Sequence, residues 1–135
     1  VDTVVCLNVL EHIDDDLAAL KTLRLTLHAG GRLVLLVPNL PWAYGSIDKL
    51  AGHKRRYTKQ GLARLMEAAG YAAPEIMDFN RVSLPAWVWN GRVLKRESFG
   101  RVQLKLFDSF VWLFRRVDRF LPRPGQSLIA VARSL

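Results

Sequence analysis

The sequence predicts an α/β fold built on a parallel sheet, and three observations carry that expectation. Val4-Val5-Cys6-Leu7 and Arg32-Leu33-Val34-Leu35-Leu36-Val37 are short apolar runs, the pattern of strands buried on both faces. Between them Leu17, Ala18, Leu20, Leu23 and Leu27 recur at helical spacing. Gly30-Gly31 then supplies a left-handed stop, so strand, helix and strand make one right-handed crossover unit.

The remaining elements follow from local chemistry. Ile13-Asp14-Asp15-Asp16 sets the first helix start near Asp14, because an aspartate accepts backbone N–H bonds and further acids suit the helix dipole. Pro38 ends the second strand, and a loop rich in Pro, Gly, Asn and aromatic residues runs to about Tyr57. Thr58 caps a helix carrying Leu62, Leu65, Met66 and Ala69, which Gly70 stops; Tyr71–Phe79 reads as a third strand. Residues 82–97, with Pro85, Trp87, Trp89, Asn90 and Gly91, suggest an irregular or short helical insertion. Leu104, Phe107, Val111, Phe114, Val117 and Leu121 form one apolar stripe, broken by Pro122, Pro124 and Gly125. A helix docked on the sheet with its aromatics in the core shows such a stripe. The neighbouring Lys105, Arg115, Arg116 and Arg119, with Phe110 and Trp112, also fit a membrane-surface helix or a lid over an apolar acceptor. Gln126–Arg133 closes the chain as a strand.

The 135 residues fit one domain of globular composition. One cysteine, Cys6, excludes an internal disulfide and suits a reducing compartment, so a cytoplasmic location is expected. No apolar run approaches the roughly 18 residues of a membrane span. The net charge of +8 is uneven: residues 1–52 hold 4 Lys/Arg against 6 Asp/Glu, and residues 53–135 hold 16 against 6. The basic part could face an acidic partner or simply water. No aromatic–basic stacking platform is evident, so nucleic acid is not the expected partner.

Asn8-Val9-Leu10-Glu11-His12-Ile13, Gly30-Gly31-Arg32-Leu33-Val34 and Val37-Pro38-Asn39 together resemble the methyltransferase-11/12-like branch of the class I S-adenosylmethionine-dependent methyltransferases. Gly52-His53-Lys54-Arg55-Arg56-Tyr57-Thr58 and Leu62 to Tyr71 match later segments of that family, in the same order. The resemblance implies the C-terminal half of a doubly wound, Rossmann-like sheet. Val1–Leu7 would be the fourth strand, Arg32–Val37 the fifth, Tyr71–Phe79 the sixth and Gln126–Arg133 an antiparallel seventh. The expected organisation is one part-domain: strand–helix–strand over 1–37, an active-site loop over 38–57, helix and strand over 58–79, a helical insertion over 80–125 and the last strand over 126–135. The family's glycine-rich loop and the acid after its second strand have no counterpart here. The cofactor cradle is therefore expected in an N-terminal half. The resemblance also gives the impression of a bacterial source.

The implied activity is methyl transfer from S-adenosylmethionine to an oxygen of a small or lipid-linked acceptor, with peripheral membrane contact as a further expectation. The alternatives are a non-catalytic half-domain or binding module, and a nucleic-acid methyltransferase. Cys6, Leu7, Asn8 and Val9 lie at the carboxyl end of a strand, where open α/β sheets bind ligands, and are the expected cofactor contacts. His12 and His53 are the candidate bases for a hydroxyl acceptor. Tyr44, Arg55, Arg56 and Tyr57 are expected to contact the acceptor, the guanidinium forks suiting a phosphate or carboxylate. One of the arginines could instead pair with Asp48 or Glu11. Asn8, Glu11 and His12 sit at i, i+3 and i+4, and His53 could approach them. A Glu-x-x-Glu-His set of this kind is associated with a divalent cation in small-RNA 2′-O-methyltransferases and ubiquinone-type O-methyltransferases. Asn8 replaces the first carboxylate here. A hard cation prefers several carboxylate oxygens, so no resident metal is expected, and Glu11, His12 and His53 are the set that could hold one.

Overall fold

The computed structural model describes residues 1–96 and 100–135; the part of the expected insertion at 97–99 lies outside the described residues. Four strands form one sheet: β1 (Thr3–Leu7), β2 (Arg32–Pro38), β3 (Glu75–Phe79) and β4 (Ser127–Arg133). Their spatial order is β1-β2-β4-β3. β1 and β2 are parallel, and β4 runs antiparallel to both β2 and β3. The expected parallel pair and antiparallel last strand are both present, and the last strand lies between β2 and β3.

Helix α1 (Asp16–Thr26) makes the crossover from β1 to β2. Its cap is Asp15, one residue beyond the expected start, with the carboxylate accepting the Ala18 N–H at 2.9 Å. Helix α3 (Lys59–Ala68) leads to β3 and is capped by Thr58 as expected, through the Gly61 N–H at 3.0 Å. Leu20 from α1 and Leu62 and Met66 from α3 close the core against Leu33, Leu35, Val37, Leu128 and Ala130 of the sheet. Tyr71 seals the end of this core, its hydroxyl donating to the Leu20 carbonyl at 3.0 Å. Burial pushes that phenol up to about 12.

Several expectations are corrected. The strands are not buried on both faces: alternate residues of β2 are covered, and Val5 and Leu7 of β1 are 60% and 50% exposed. The reason is that the α1/α3 layer lies on one face, while β1 is an edge strand paired only with β2. The third strand starts at Glu75, not Tyr71, which makes only an isolated bridge to Ser134. Pro74 has no N–H to offer a ladder. The loop after β2 contains helix α2 (Ser46–Ala51). The insertion is helical, with α4 (Leu84–Val88), a π-turn at Trp89–Val93 and α5 (Arg101–Val117). No residue of α5 is buried in the core, contrary to the docked-helix reading. Its partly covered side carries Gln103, Phe107, Val111 and Phe114, which border a cavity rather than fill a core.

The one-sided core gives a direct expectation. Leu35→Ala opens a cavity beneath α1 and α3 and should cost about 3 kcal/mol in urea denaturation. Met77→Ala, on the uncovered face, should cost under about 1 kcal/mol.

Candidate active site at the carboxyl rim of the sheet

The strand directions bring four chain segments to one rim. β1, β2 and β3 end there and β4 begins there, with Pro38 and Phe79 both opposite Ser127. Asn8 follows β1 in a left-handed conformation, φ 51°, which asparagine tolerates better than most residues. Its N–H donates to the Leu36 carbonyl at 2.9 Å, which locks the turn. Cys6 is half-buried, while Leu7, Asn8 and Val9 are exposed on the rim. Burial, and next the Glu11 carboxylate, push the Cys6 thiol up.

A single 3₁₀ turn, Leu10–His12, then directs Glu11 inward. The loop after β2 returns over this turn, tied by the Lys54 N–H to the Glu11 carbonyl at 2.9 Å. His53 thereby meets His12, with ring centroids 5.0 Å apart and planes at 72°. His53 Nε2 lies 3.8 Å from Glu11 Oε1. Glu11 is completely buried, and neither carboxylate oxygen has a hydrogen-bond partner.

Asp48 organises the other side. Its buried carboxylate receives His53 Nδ1 at 2.9 Å and Arg56 Nε at 2.8 Å on one oxygen. The other oxygen accepts the Gly45 N–H at 3.0 Å and Trp87 Nε1 at 3.3 Å. Burial works against the charge on Asp48, but the bonds from His53, Arg56 and Gly45 outweigh it and hold the carboxyl below its usual range. Gly45 must be glycine for a further reason: a Cβ there would sit 2.6 Å from the Gly91 carbonyl oxygen of the π-turn. The Ser46 hydroxyl donates to that same carbonyl at 3.1 Å.

The basic residues of the loop are engaged within the fold. Arg56 is buried, donates to the Asn39 carbonyl at 2.7 Å and stacks on Trp87 at 5.2 Å. Arg55 pairs with Asp16 at 2.8 Å and donates to the Asp14 carbonyl. The Tyr57 hydroxyl donates to Asp16 at 3.0 Å, and burial with the Asp16 charge drives its acidity far down. Tyr44 donates to the His53 carbonyl at 2.7 Å. The structure thus brings together His12, His53 and Glu11, with Asn8 on the same rim, and gives Arg55, Arg56 and Tyr57 anchoring roles. Trp87 and Asp16 carry positions that sequence reasoning did not assign. The Arg56–Asp48 pair is one of the alternatives the sequence offered, whereas the Arg55–Asp16 pair is not.

Beside this polar corner lies an apolar cavity of about 430 Å³. Trp87, Phe107, Phe110 and Phe114 form its walls, and Asn80, Ser83 and Gln126 mark its polar edge. Trp87 belongs to both places, since its ring lines the cavity and its N–H bonds Asp48.

Asp48→Asn should loosen His53 and Arg56 together and cost about 3 kcal/mol near neutral pH, because a buried arginine loses its counter-charge. The depressed carboxyl contributes stability that is fully present above its unfolded value, about 3.9, and is lost as pH falls through the folded value. The gap between wild type and Asp48→Asn in chemical denaturation should therefore narrow below about pH 4.

A family model described as a methyltransferase domain matches residues 1–75, more than half of the chain. A search of curated proteins finds no match. Among solved structures, an S-adenosylmethionine-dependent methyltransferase from Archaeoglobus fulgidus aligns over 99% of this chain and 59% of its own, at 16% identity and TM-score 0.57. One from Mesorhizobium loti aligns over 98% and 61%, at 16% identity and TM-score 0.60. Phosphoethanolamine N-methyltransferase 2 from Haemonchus contortus, in complex with S-adenosyl-L-methionine, aligns over 98% and 33%, at 11% identity and TM-score 0.55. The chain therefore spans about three fifths or less of these relatives. The strand order, the rim and the family match agree: this chain belongs to the methyltransferase-domain family and has the class I, Rossmann-like fold.

Proposed function

We propose that this chain is the C-terminal part of one methyltransferase domain, and that the complete domain methylates an oxygen of a small or lipid-linked acceptor with an apolar body. The shared wall at Trp87 is the observation that carries the acceptor reading. It links the apolar cavity, through the Trp87–Asp48 and Asp48–His53 hydrogen bonds, to one of the two imidazoles. The partial coverage of the relatives and the uncovered apolar face of the sheet support the part-domain reading.

The residues present fit one edge of the cofactor. Asn8 is exposed on the rim, and its side-chain amide makes no hydrogen bond among the described residues, so donor and acceptor are both available. Cys6, Leu7 and Val9 line the same edge. When bound, S-adenosylmethionine supplies an electrophilic methyl group on a sulfonium. The chain's task is then to align the acceptor oxygen with it and to manage one proton. Asp48 takes the N–H of His53 Nδ1, which leaves Nε2 with a lone pair facing Glu11; the Gly52 carbonyl does the same for His12, 3.0 Å from its Nδ1. An acceptor hydroxyl held at this corner would pass its proton to an imidazole Nε2 of His12 or His53 as it takes the methyl group. The products are a methyl ether, S-adenosylhomocysteine and one proton.

Helix α5 favours a second role for the same acceptor reading. Val102, Leu113 and Val117 are exposed along α5 beside Lys105 and Arg116, in line with Leu106 and Phe110, which are also exposed but border the cavity. Among the described residues no helix is long and apolar enough to cross a membrane. A stripe flanked by cations suits a helix lying on an anionic surface, from which a lipid-linked acceptor could enter the cavity.

Methyl transfer by the full-length protein, followed with radiolabelled S-adenosylmethionine and a panel of hydroxyl acceptors, tests the reading. His53→Gln should lower turnover at least about 100-fold while the melting temperature moves little. An equal loss of stability and turnover, or transfer only to nitrogen, would count against it. Flotation with anionic vesicles should carry the protein upward and Leu113→Ser should weaken that; a protein left in the soluble fraction removes the membrane role.

A further inference from the structure

We propose that the cavity beside α4 and α5 binds an electrically neutral molecule with an apolar body and a hydrogen-bond donor, and that Gln103 reads that donor. The argument begins with the lining. Among the described residues it consists of Leu, Ala, Phe and Trp side chains with Asn80, Ser83, Gln103 and Gln126, and none of these carries a charge. In a chain with 20 Lys/Arg and 12 Asp/Glu that neutrality is selective. Charged groups border the adjoining cavity instead, which shares Asn80, Phe107 and Phe114 and adds Arg81, Arg115, Arg119, Asp78 and Asp118. Arg56, which stacks on the Trp87 wall, has its charge balanced by Asp48.

These walls decide the class of ligand. A charged group entering the cavity would shed its water and meet no counter-charge, which is costly. An apolar body gains aromatic contacts and leaves water. The volume of about 430 Å³ is that of a small-molecule pocket, where mostly apolar walls give affinity and a few polar groups give specificity.

Gln103 is the polar group left to give it. It stands on the cavity side of α5, one turn before Phe107. Its side-chain oxygen Oε1 is buried and has no hydrogen-bond partner. A buried acceptor without a donor costs stability, and a donor on a ligand in the same cavity would satisfy it. Gln126 is the contrast, because its side-chain oxygen already accepts from the Ser83 hydroxyl and, at 3.5 Å, from the Asn80 amide. The last torsion of glutamine is soft, so the Gln103 amide can turn its oxygen to the ligand. For the acceptor, the consequence is that the part held in the cavity is uncharged and any phosphate or carboxylate stays outside. That consequence rests on the acceptor reading above; binding of a neutral molecule does not.

Three probes of one shape test the proposal: 2-naphthamide, naphthalene and 2-naphthoate. At neutral pH they carry a neutral donor, no polar group and a negative charge, respectively. Each is equilibrated by dialysis against the full-length protein without a methyl donor. 2-Naphthamide should bind at least about tenfold more tightly than 2-naphthoate, a comparison that needs no variant to fold. Gln103→Leu should weaken 2-naphthamide about fivefold and leave naphthalene bound as tightly as before, which also shows that the variant is folded. Phe107→Ala, in the wall, should weaken both. Failure of 2-naphthamide to bind, 2-naphthoate binding as tightly, equal effects of Gln103→Leu on 2-naphthamide and naphthalene, or indifference to Phe107→Ala would each overturn the proposal. None of those results reaches the methyl-transfer reading, and selective binding of 2-naphthamide without methyl transfer would leave the neutral site standing.

Discussion

The buried Asp48 carboxylate is the constraint on which the rest of the site depends. It gathers a histidine from the loop, an arginine from the same loop, a tryptophan from the insertion and the N–H that starts α2. Each donor comes from a segment that sheet packing alone would leave loose. The loop buries Ala43, Ile47 and Tyr57, and the satisfied polar groups around Asp48 fix the rest of its conformation. Removing the carboxylate would leave Arg56 as a buried cation without its counter-charge, which explains why one acid can hold so much chain.

The same interaction joins the two functional halves of the site. Through His53 it orients an imidazole toward Glu11 and His12. Through Trp87 it fixes one wall of the apolar cavity. The close Gly45–Gly91 approach brings the insertion against α2, where any side chain at position 45 would push them apart. On the proposed reading, chemistry and acceptor binding are coupled by packing between backbone segments, and a substitution in one half should be felt in the other.

Much of the fold was legible because it follows from local rules. The crossover unit, the Thr58 cap and the antiparallel last strand all stood in apolar period, capping chemistry and motif order. The outward face of β1 was not legible. A run such as Val4–Leu7 has the same composition whether one face or both are covered, and the coverage is set by distant chain. Helix α5 misled for a related reason: its stripe is genuine, but periodicity does not say whether the partner is a core, a cavity or a surface. In the site, the pairing of His12 with His53 was readable from the motifs. The engagement of Arg55 with Asp16 was not, because the pairing crosses about forty residues and rests on where α1 begins.

The most direct test of the account is a crystal structure of the full-length protein with S-adenosylhomocysteine. The account expects the thioether sulfur above the end of β1, beside Asn8, with the Glu11–His12–His53 corner and the Trp87 wall both facing the position of the lost methyl group. A cofactor seated away from Asn8, or an imidazole pair turned from the sulfur, would contradict the claim that this corner is where methyl transfer occurs.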